Sequence, residues 1–288
     1  MSYLIYSLAW KLVRFLPEHV AYRLGDRIAA YAVRKRGRRI VRLRSNLATV
    51  TPNLNDRDLD ELLSKAMRSN LRYWIDTFRF PGWDEARIKA TVEVVNRHTF
   101  DRLMAQGRGL IVALPHAGNW DHAGAFFCAE GYPLVTVAEH LKPERLFRKF
   151  LAYREAMGME VLDLDAGVMR TLGERLRSGR LLALVADRDL SASGIEIAFF
   201  GRRAKFPAGP AKLARENGAP LITAYISYTT KGILVEFSDP IETQGRSIEE
   251  IVQEIAKNFE QGISRYPEDW HMLQRVFLEE SVASGHGS

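Results

Sequence analysis

Residues 110–127 read LIVALPHAGNWDHAGAFF. Leu110–Leu114 is short, apolar and unbroken, the pattern of a strand buried on both faces. Pro115 has no N–H for a sheet ladder, so the strand stops there. Asn119-Trp120-Asp121 then leads into a segment rich in Ala, Phe and Gly that reads as a helix over Ala123–Ala129. His116 is thereby placed at the carboxyl end of a strand, where open α/β sheets hold their ligands.

Strand and helix patterns alternate on both sides of this stretch. After the turn at Pro81-Gly82, Val92–Val95 reads as a strand, Thr99–Gln106 as a helix and Leu134–Val137 as extended chain. Pro143–Met157 reads as a helix, Glu160–Leu162 as a strand, Val168–Arg177 as a helix and Leu181–Val185 as a strand. Ile195–Phe200, a helix through Pro210–Asn217, strands Leu221–Tyr228 and Ile233–Phe237, helix Ile248–Arg265 and a final Trp270–Phe277 segment complete the series. The alternation predicts an α/β fold with a mostly parallel central sheet flanked by helices. Residues 1–80 instead read almost entirely helical, with breaks at Pro17 and Pro52 and a helix start at Asn55-Asp56. The expected organisation is a helical region over 1–80 within the same domain, an α/β core over 81–280 and a disordered tail over 281–288.

The chain has 288 residues, enough to bury a substantial core, and an ordinary globular composition. A single cysteine, Cys128, excludes an internal disulfide and a Cys-based zinc site, and its expected role is packing. The net charge of +6 is concentrated at one end: residues 1–50 hold eleven Lys and Arg against Glu18 and Asp26, so the remaining 238 residues sum to −3. A basic end on a near-neutral body points to nucleic acid or lipid headgroups. The opening MSYLIYSLAWKLVRFLP decides for lipid. It is too short for a bilayer span, lacks a signal-peptide cleavage site and interleaves apolar with basic residues, as an interfacial helix does. The competing reading is a helix packed on its own core beside a solvated charge run.

Two strand ends carry candidate chemistry. His116 and Asp121 form His-x-x-x-x-Asp, in which a carboxylate can fix the imidazole tautomer and stabilise the imidazolium. That spacing alone is weak, and the residues also fit a hydrogen-bonded structural histidine. The second end, LLALVADRDLSASG, sends an apolar strand into Asp187, Arg188 and Asp189, charges that must be paired or line a cleft. If the two strands are close, Asp187 lies near His116; the alternative is an ordinary salt-bridge cluster. FFGRRAKFPAGPAKLA sets Arg202, Arg203 and Lys205 before a helix start that can bind phosphate or hold an oxyanion. Lys142, Arg145, Arg148, Lys149 and Arg154 in HLKPERLFRKFLAYRE meet either a phosphorylated cofactor or water. No glycine-rich dinucleotide fingerprint or Walker loop is present, and the seven histidines give no metal-binding spacing.

PHAGNWDHAG, AEHLKPERLFRKFLAYRE, ADRDLSASGIEIAFFG and PAGPAKLA together resemble the bacterial lysophospholipid acyltransferase superfamily. Within it the close likeness is to the actinobacterial phosphatidylinositol mannoside acyltransferases, over about Leu4–Phe277. The resemblance implies transfer of a long acyl chain, typically palmitoyl, from acyl-CoA as co-substrate to a mannose hydroxyl of a phosphatidylinositol mannoside. No permanently bound cofactor or metal is implied. His116 falls on the family's base, Asp121 on its motif acid, Arg154 on an arginine that organises the site and Glu139 on a nearby glutamate. Ser193 and Glu216 fall on the acyl-donor side. The chain departs from its mycobacterial relatives at Asp187, where they carry a glutamate paired with the histidine, so either Asp187 or Asp121 orients His116. The implied setting is peripheral, on the cytoplasmic face of the cell membrane against an anionic inner leaflet, with no nucleic acid. A lipid A acyltransferase and a non-catalytic lipid-binding membrane protein are the rival readings.

Overall fold

The computed structural model describes residues 13–138, 144–189 and 191–279. The apolar opening segment therefore lies mostly outside the described residues, as do Glu139 and the tail from 280 onward. The described residues open on a short helical stretch over 13–15, and three helices follow: α1 (Glu18–Lys35), α2 (Arg38–Val50) and α3 (Asp56–Arg79). Asn55 caps α3 by accepting from the Asp58 N–H, at the start the sequence marks. Helix α1 lies close along α3 because its inward residues are small: Ala21, Gly25 and Ala29. A Cβ on Gly25 would stand 2.5 Å from Ile75 Cδ1, so glycine lets the Ile75 side chain pack directly on α1. The opposite face of α1 leaves Val20, Leu24, Ile28 and Tyr31 exposed.

The rest follows in order: α4 (Glu85–Ala90), β1 (Val92–Val95), α5 (Arg97–Met104), β2 (Leu110–Leu114), α6 (Trp120–Ala129), β3 (Leu134–Ala138), α7 (Glu144–Glu155) and β4 (Glu160–Asp163). Then come α8 (Val168–Arg177), β5 (Leu181–Val185), β6 (Ile195–Phe199), β7 (Arg202–Phe206), α9 (Gly209–Asn217), β8 (Leu221–Tyr228), β9 (Ile233–Phe237) and α10 (Ile248–Arg265). Seven strands form one sheet in the order β1-β9-β8-β2-β5-β3-β4, parallel throughout except where β8 and β9 pair antiparallel. β6 and β7 form a separate antiparallel hairpin.

All five residues of β2 are buried, and they divide by face. Ile111 and Ala113 join a core with Leu172 and Leu176 of α8, Leu213 of α9 and Ile251, Ile255 and Phe259 of α10. Leu110, Val112 and Leu114 join the other, with Phe100 and Leu103 of α5 and Phe126 and Phe127 of α6. Helices thus cover both faces of a mostly parallel sheet, as the unbroken apolar runs require. The first core also takes in Ala29, Leu43, Leu47 and Leu63, so the amino-terminal helices share it with the sheet.

Two differences from the sequence reading have local causes. α6 begins at Trp120 rather than Ala123 because the Asn119 side chain accepts from the His122 N–H and caps the helix earlier. Arg202–Phe206 is a strand rather than a basic lead-in to a helix. Arg203 donates to both carboxylate oxygens of Glu196 across the hairpin, at 2.5 and 2.8 Å, which spends its charge there. Among the described residues no helix is long and apolar enough to cross a membrane.

Candidate active site

The site is set by strand register. β2 and β5 are neighbours, paired from Leu110↔Leu181 to Leu114↔Val185. The Ala186 N–H continues the ladder to the Leu114 carbonyl at 2.8 Å. The same offset carried two residues past each strand end brings His116 opposite Asp187. The His116 N–H donates to Asp187 Oδ2 at 3.0 Å, and its ring Nδ1 lies 2.6 Å from Oδ1. The Trp270 indole N–H donates to Oδ2 at 2.9 Å. Asp187 is fully buried. Burial alone would raise its pKa, but the charge of His116 and the donated hydrogen bonds outweigh it and hold the carboxyl below its ordinary value. A carboxylate only accepts, so the bonded proton sits on Nδ1, and in the neutral ring Nε2 carries the lone pair. The His116 side chain is 41% exposed while its partner is wholly enclosed, so the accessible edge of the ring is the one away from Asp187.

Behind His116 stands an aromatic wall. Trp120 meets the imidazole edge to face, centroids 5.6 Å apart, and Tyr73 of α3 stacks on Trp120 at 4.3 Å. The Tyr73 hydroxyl donates to Asp121 Oδ2 at 2.9 Å, and Arg154 Nε donates to Asp121 Oδ1 at 2.8 Å. Burial disfavours the charge on Arg154, yet Asp121 beside it more than compensates and raises its pKa. The carboxylate on His116 Nδ1 belongs to Asp187, and Asp121 instead ties α3 and α7 to the first turn of α6. Arg154, expected to organise the site, is seated on Asp121 by this bond.

The carboxyl-terminal segment clamps the histidine loop. The His271 N–H donates to the His116 carbonyl at 2.8 Å, the Gly118 N–H to the Asp269 carbonyl at 2.9 Å, and Ala117 bridges to Trp270. Gly118 sits at φ 56°, and a Cβ there would stand 2.6 Å from the Ile226 carbonyl oxygen, so the loop needs glycine at this point. Beneath the clamp, Asp269 accepts from Ser69 Oγ at 2.5 Å and from the Tyr228 N–H at 2.8 Å. Burial raises the Asp269 carboxyl to about 6. Burial, and secondarily the charge of His116, lowers His271 to about 3, so that ring is neutral. Its Nε2 lies 2.8 Å from Ser69 Oγ and donates to it.

Other expected site residues fall elsewhere. Ser193 is exposed on the loop beyond Asp187, its Oγ 2.8 Å from Ser191 Oγ. Glu216 lies away from the dyad. The Arg108 side chain, just before β2, donates to the Gly218 carbonyl at 2.6 Å, which puts the end of α9 at the amino-terminal edge of the sheet. Glu216, exposed there, is separated from His116 by the length of β2, about 17 Å at 3.3 Å per residue. The other end of α9, at Gly209-Pro210, consequently lies toward the carboxyl edge that carries His116. Cys128 lines a cavity of about 390 Å³ with Phe80, Trp83, Ile88 and Met157, its thiol pushed up by burial. Trp270 and Tyr73 are the contributors that sequence reasoning missed. The tryptophan in the otherwise polar run YPEDWH was the available signal. Among the described residues no group of three or more His, Cys, Asp and Glu could hold a metal ion.

The family model for bacterial lipid A biosynthesis acyltransferase matches residues 1–279. A phosphatidylinositol mannoside acyltransferase of Mycolicibacterium smegmatis is 39% identical over 278 residues, covering 96% of this chain and 91% of that protein. One of Mycobacterium tuberculosis is 37% identical over 280 residues, covering 96% and 88%. Among solved structures, the 1-acyl-sn-glycerophosphate acyltransferase of Thermotoga maritima matches with a TM-score of 0.38 at 13% identity, covering 85% of this chain and 95% of that one. The resemblance carried by PHAGNWDHAG and its companion blocks thus holds along nearly the whole length.

Proposed function

The chain belongs to the bacterial lipid A biosynthesis acyltransferase family, and from that premise we propose that it acylates a mannose hydroxyl of a phosphatidylinositol mannoside. The donor is acyl-CoA, palmitoyl in type. The single observation that carries the chemistry is the His116–Asp187 dyad, with Nδ1 bonded to a buried carboxylate and the opposite edge of the ring accessible. The acceptor rests on the names of the relatives at 37–39% identity.

His116 Nε2 takes the proton of the acceptor hydroxyl as its oxygen attacks the thioester carbonyl. Asp187 stabilises the imidazolium that forms. Backbone donors at the amino end of α9 offset the negative charge on the tetrahedral oxygen. The carbon–sulfur bond then breaks, and the imidazolium returns its proton to the departing CoA thiolate. The product is an ester, and no covalent acyl-enzyme forms.

The protein works peripherally on the cytoplasmic face of the membrane. Exposed Val20, Leu24, Ile28 and Tyr31 on one stripe of α1, with exposed Arg23, Arg27, Arg34 and Lys35 around them, support this setting. The matching family model keeps a second acceptor in view, a lipid A precursor. Purified protein given palmitoyl-CoA and each acceptor separately distinguishes them by mass spectrometry of the lipid. Acylation of the phosphatidylinositol mannoside alone is expected, and acylation of the lipid A precursor alone would displace the proposal.

A further inference from the structure

We propose that Trp270 is a positioning residue whose indole N–H locks the Asp187 carboxylate in the orientation that keeps His116 Nε2 available as the base. The inference rests on the reading of His116 and Asp187 as the working dyad and extends it to a residue that touches no reacting atom.

Asp187 has two oxygens and three donors around it. Oδ1 faces His116 Nδ1, while Oδ2 accepts from both the His116 N–H and the Trp270 indole. Two donors converging on one oxygen resist rotation of the carboxylate plane, and that plane fixes the direction in which Nδ1–H points. With the indole bond removed, Oδ2 retains one backbone donor and the carboxylate can swing, carrying the imidazole out of line. The site is fully desolvated at both Asp187 and Trp270, so no bulk water replaces the lost donor.

The indole is itself held in place. Trp270 lies in the middle of the clamp, with the Asp269 carbonyl bonded to the Gly118 N–H on one side and the His271 N–H bonded to the His116 carbonyl on the other. Its ring packs edge to face against Phe199 of the hairpin, centroids 6.0 Å apart. The loop that carries the base and the side chain that aims its partner are thereby fixed to each other. A tryptophan needed for bulk alone could be exchanged for phenylalanine with a loss of packing and no change in the dyad.

The test compares Trp270→Phe, Phe199→Leu and His116→Ala with the wild type in acyl transfer from palmitoyl-CoA and in the NMR signal of the His116 Nδ1 proton. Trp270→Phe is expected to lower kcat about 10–100-fold, with KM for both substrates within about twofold, the effect of losing one hydrogen bond to a charged acceptor. Its Nδ1 proton signal moves upfield or broadens. Phe199→Leu, which disturbs packing and keeps the N–H, lowers Tm and changes kcat and the signal far less than Trp270→Phe does, because the backbone bonds of the clamp still hold the indole on Asp187. If Trp270→Phe does not fold, the thia-analogue of tryptophan placed at position 270, with sulfur replacing the N–H, gives the same comparison in an almost unchanged shape. Wild-type kcat and an unmoved signal in the folded variant, beside an inactive His116→Ala, would overturn the role of Trp270 and leave the dyad standing. Normal transfer by folded His116→Ala would overturn the dyad, and the role of Trp270 with it.

Discussion

Replacing Asp187 by asparagine tests how the dyad works, because the structure dictates how the amide must settle. The side chain is fully buried and meets three donors: Nδ1–H of His116, the His116 backbone N–H and the Trp270 indole N–H. An amide offers one oxygen and one NH2 group. If the NH2 faced the position of Oδ2, it would oppose two fixed donors in a site without water. The oxygen therefore takes that position and the NH2 points at Nδ1. Nδ1 must then accept, which moves the ring proton to Nε2 and removes the lone pair that would deprotonate the acceptor. Loss of a general base lowers the rate about 10²–10⁴-fold. Because the exchange is nearly isosteric, the fold should lose only about 1–3 kcal/mol. Asp187→Glu keeps the charge but forces a methylene into a closed site, costing about 1–3 kcal/mol in packing, and should retain more activity than the asparagine variant. Turnover is followed by release of the CoA thiol from palmitoyl-CoA, normalised to folded protein by circular dichroism. Asp121→Asn, which disturbs the bonds to Tyr73 and Arg154, should reduce stability more than rate per folded molecule. An active Asp187→Asn beside a folded, inactive Asp121→Asn would refute this reasoning.

Gly118→Ala combines a positive φ with a Cβ 2.6 Å from the Ile226 carbonyl oxygen. It should destabilise the protein by about 3 kcal/mol or more in denaturant unfolding and lower transfer as the histidine loop shifts; an unchanged unfolding midpoint would contradict it. Leu24→Ser with Ile28→Ser, both on the exposed face of α1, should leave Tm within a few degrees and weaken binding to anionic vesicles about tenfold or more in a sedimentation assay. Equal partitioning of variant and wild type would remove α1 from the membrane account. Burial lowers His122 to about 4, so as pH falls from 6.5 towards 4 the unfolded chain gains a proton there that the fold refuses, and stability drops. His122→Gln lacks this term, so relative to it the wild type should lose up to about 1.4 kcal/mol per pH unit across that window; parallel pH profiles would show that His122 is not held neutral.

Much of the fold was legible because burial on two faces leaves a plain mark. Leu110–Leu114 and Leu181–Val185 carry no polar residue, and both appear as strands with those bounds. Their ends also pointed to His116 and Asp187, since charge immediately after a buried strand needs a partner. What remained open was which carboxylate served the histidine, because adjacency of β2 and β5 is a property of strand order and no local pattern encodes it. Asp121 has the more suggestive spacing, yet it lies on a helix turn whose direction sends it to Tyr73 and Arg154. Arg202, Arg203 and Lys205 looked like an anion site because charge drew attention from the alternation with Ala204 and Phe206, both buried on the hairpin. Which edge of the sheet carries Glu216 was not legible either, because its helix starts at the carboxyl edge and ends at the opposite one. Trp270 left only the trace of a lone tryptophan in a polar run, and nothing local ties it to a carboxylate 83 positions away.

The central claim is that His116 is the base for acyl transfer to a glycolipid hydroxyl. Wild type and His116→Ala, matched for folded protein, are incubated with palmitoyl-CoA and a phosphatidylinositol mannoside on anionic vesicles, and the lipid is weighed by mass spectrometry. The account predicts a singly acylated product from the wild type and a yield about 10²–10⁴-fold lower from the variant. Comparable yields from both folded proteins would contradict it.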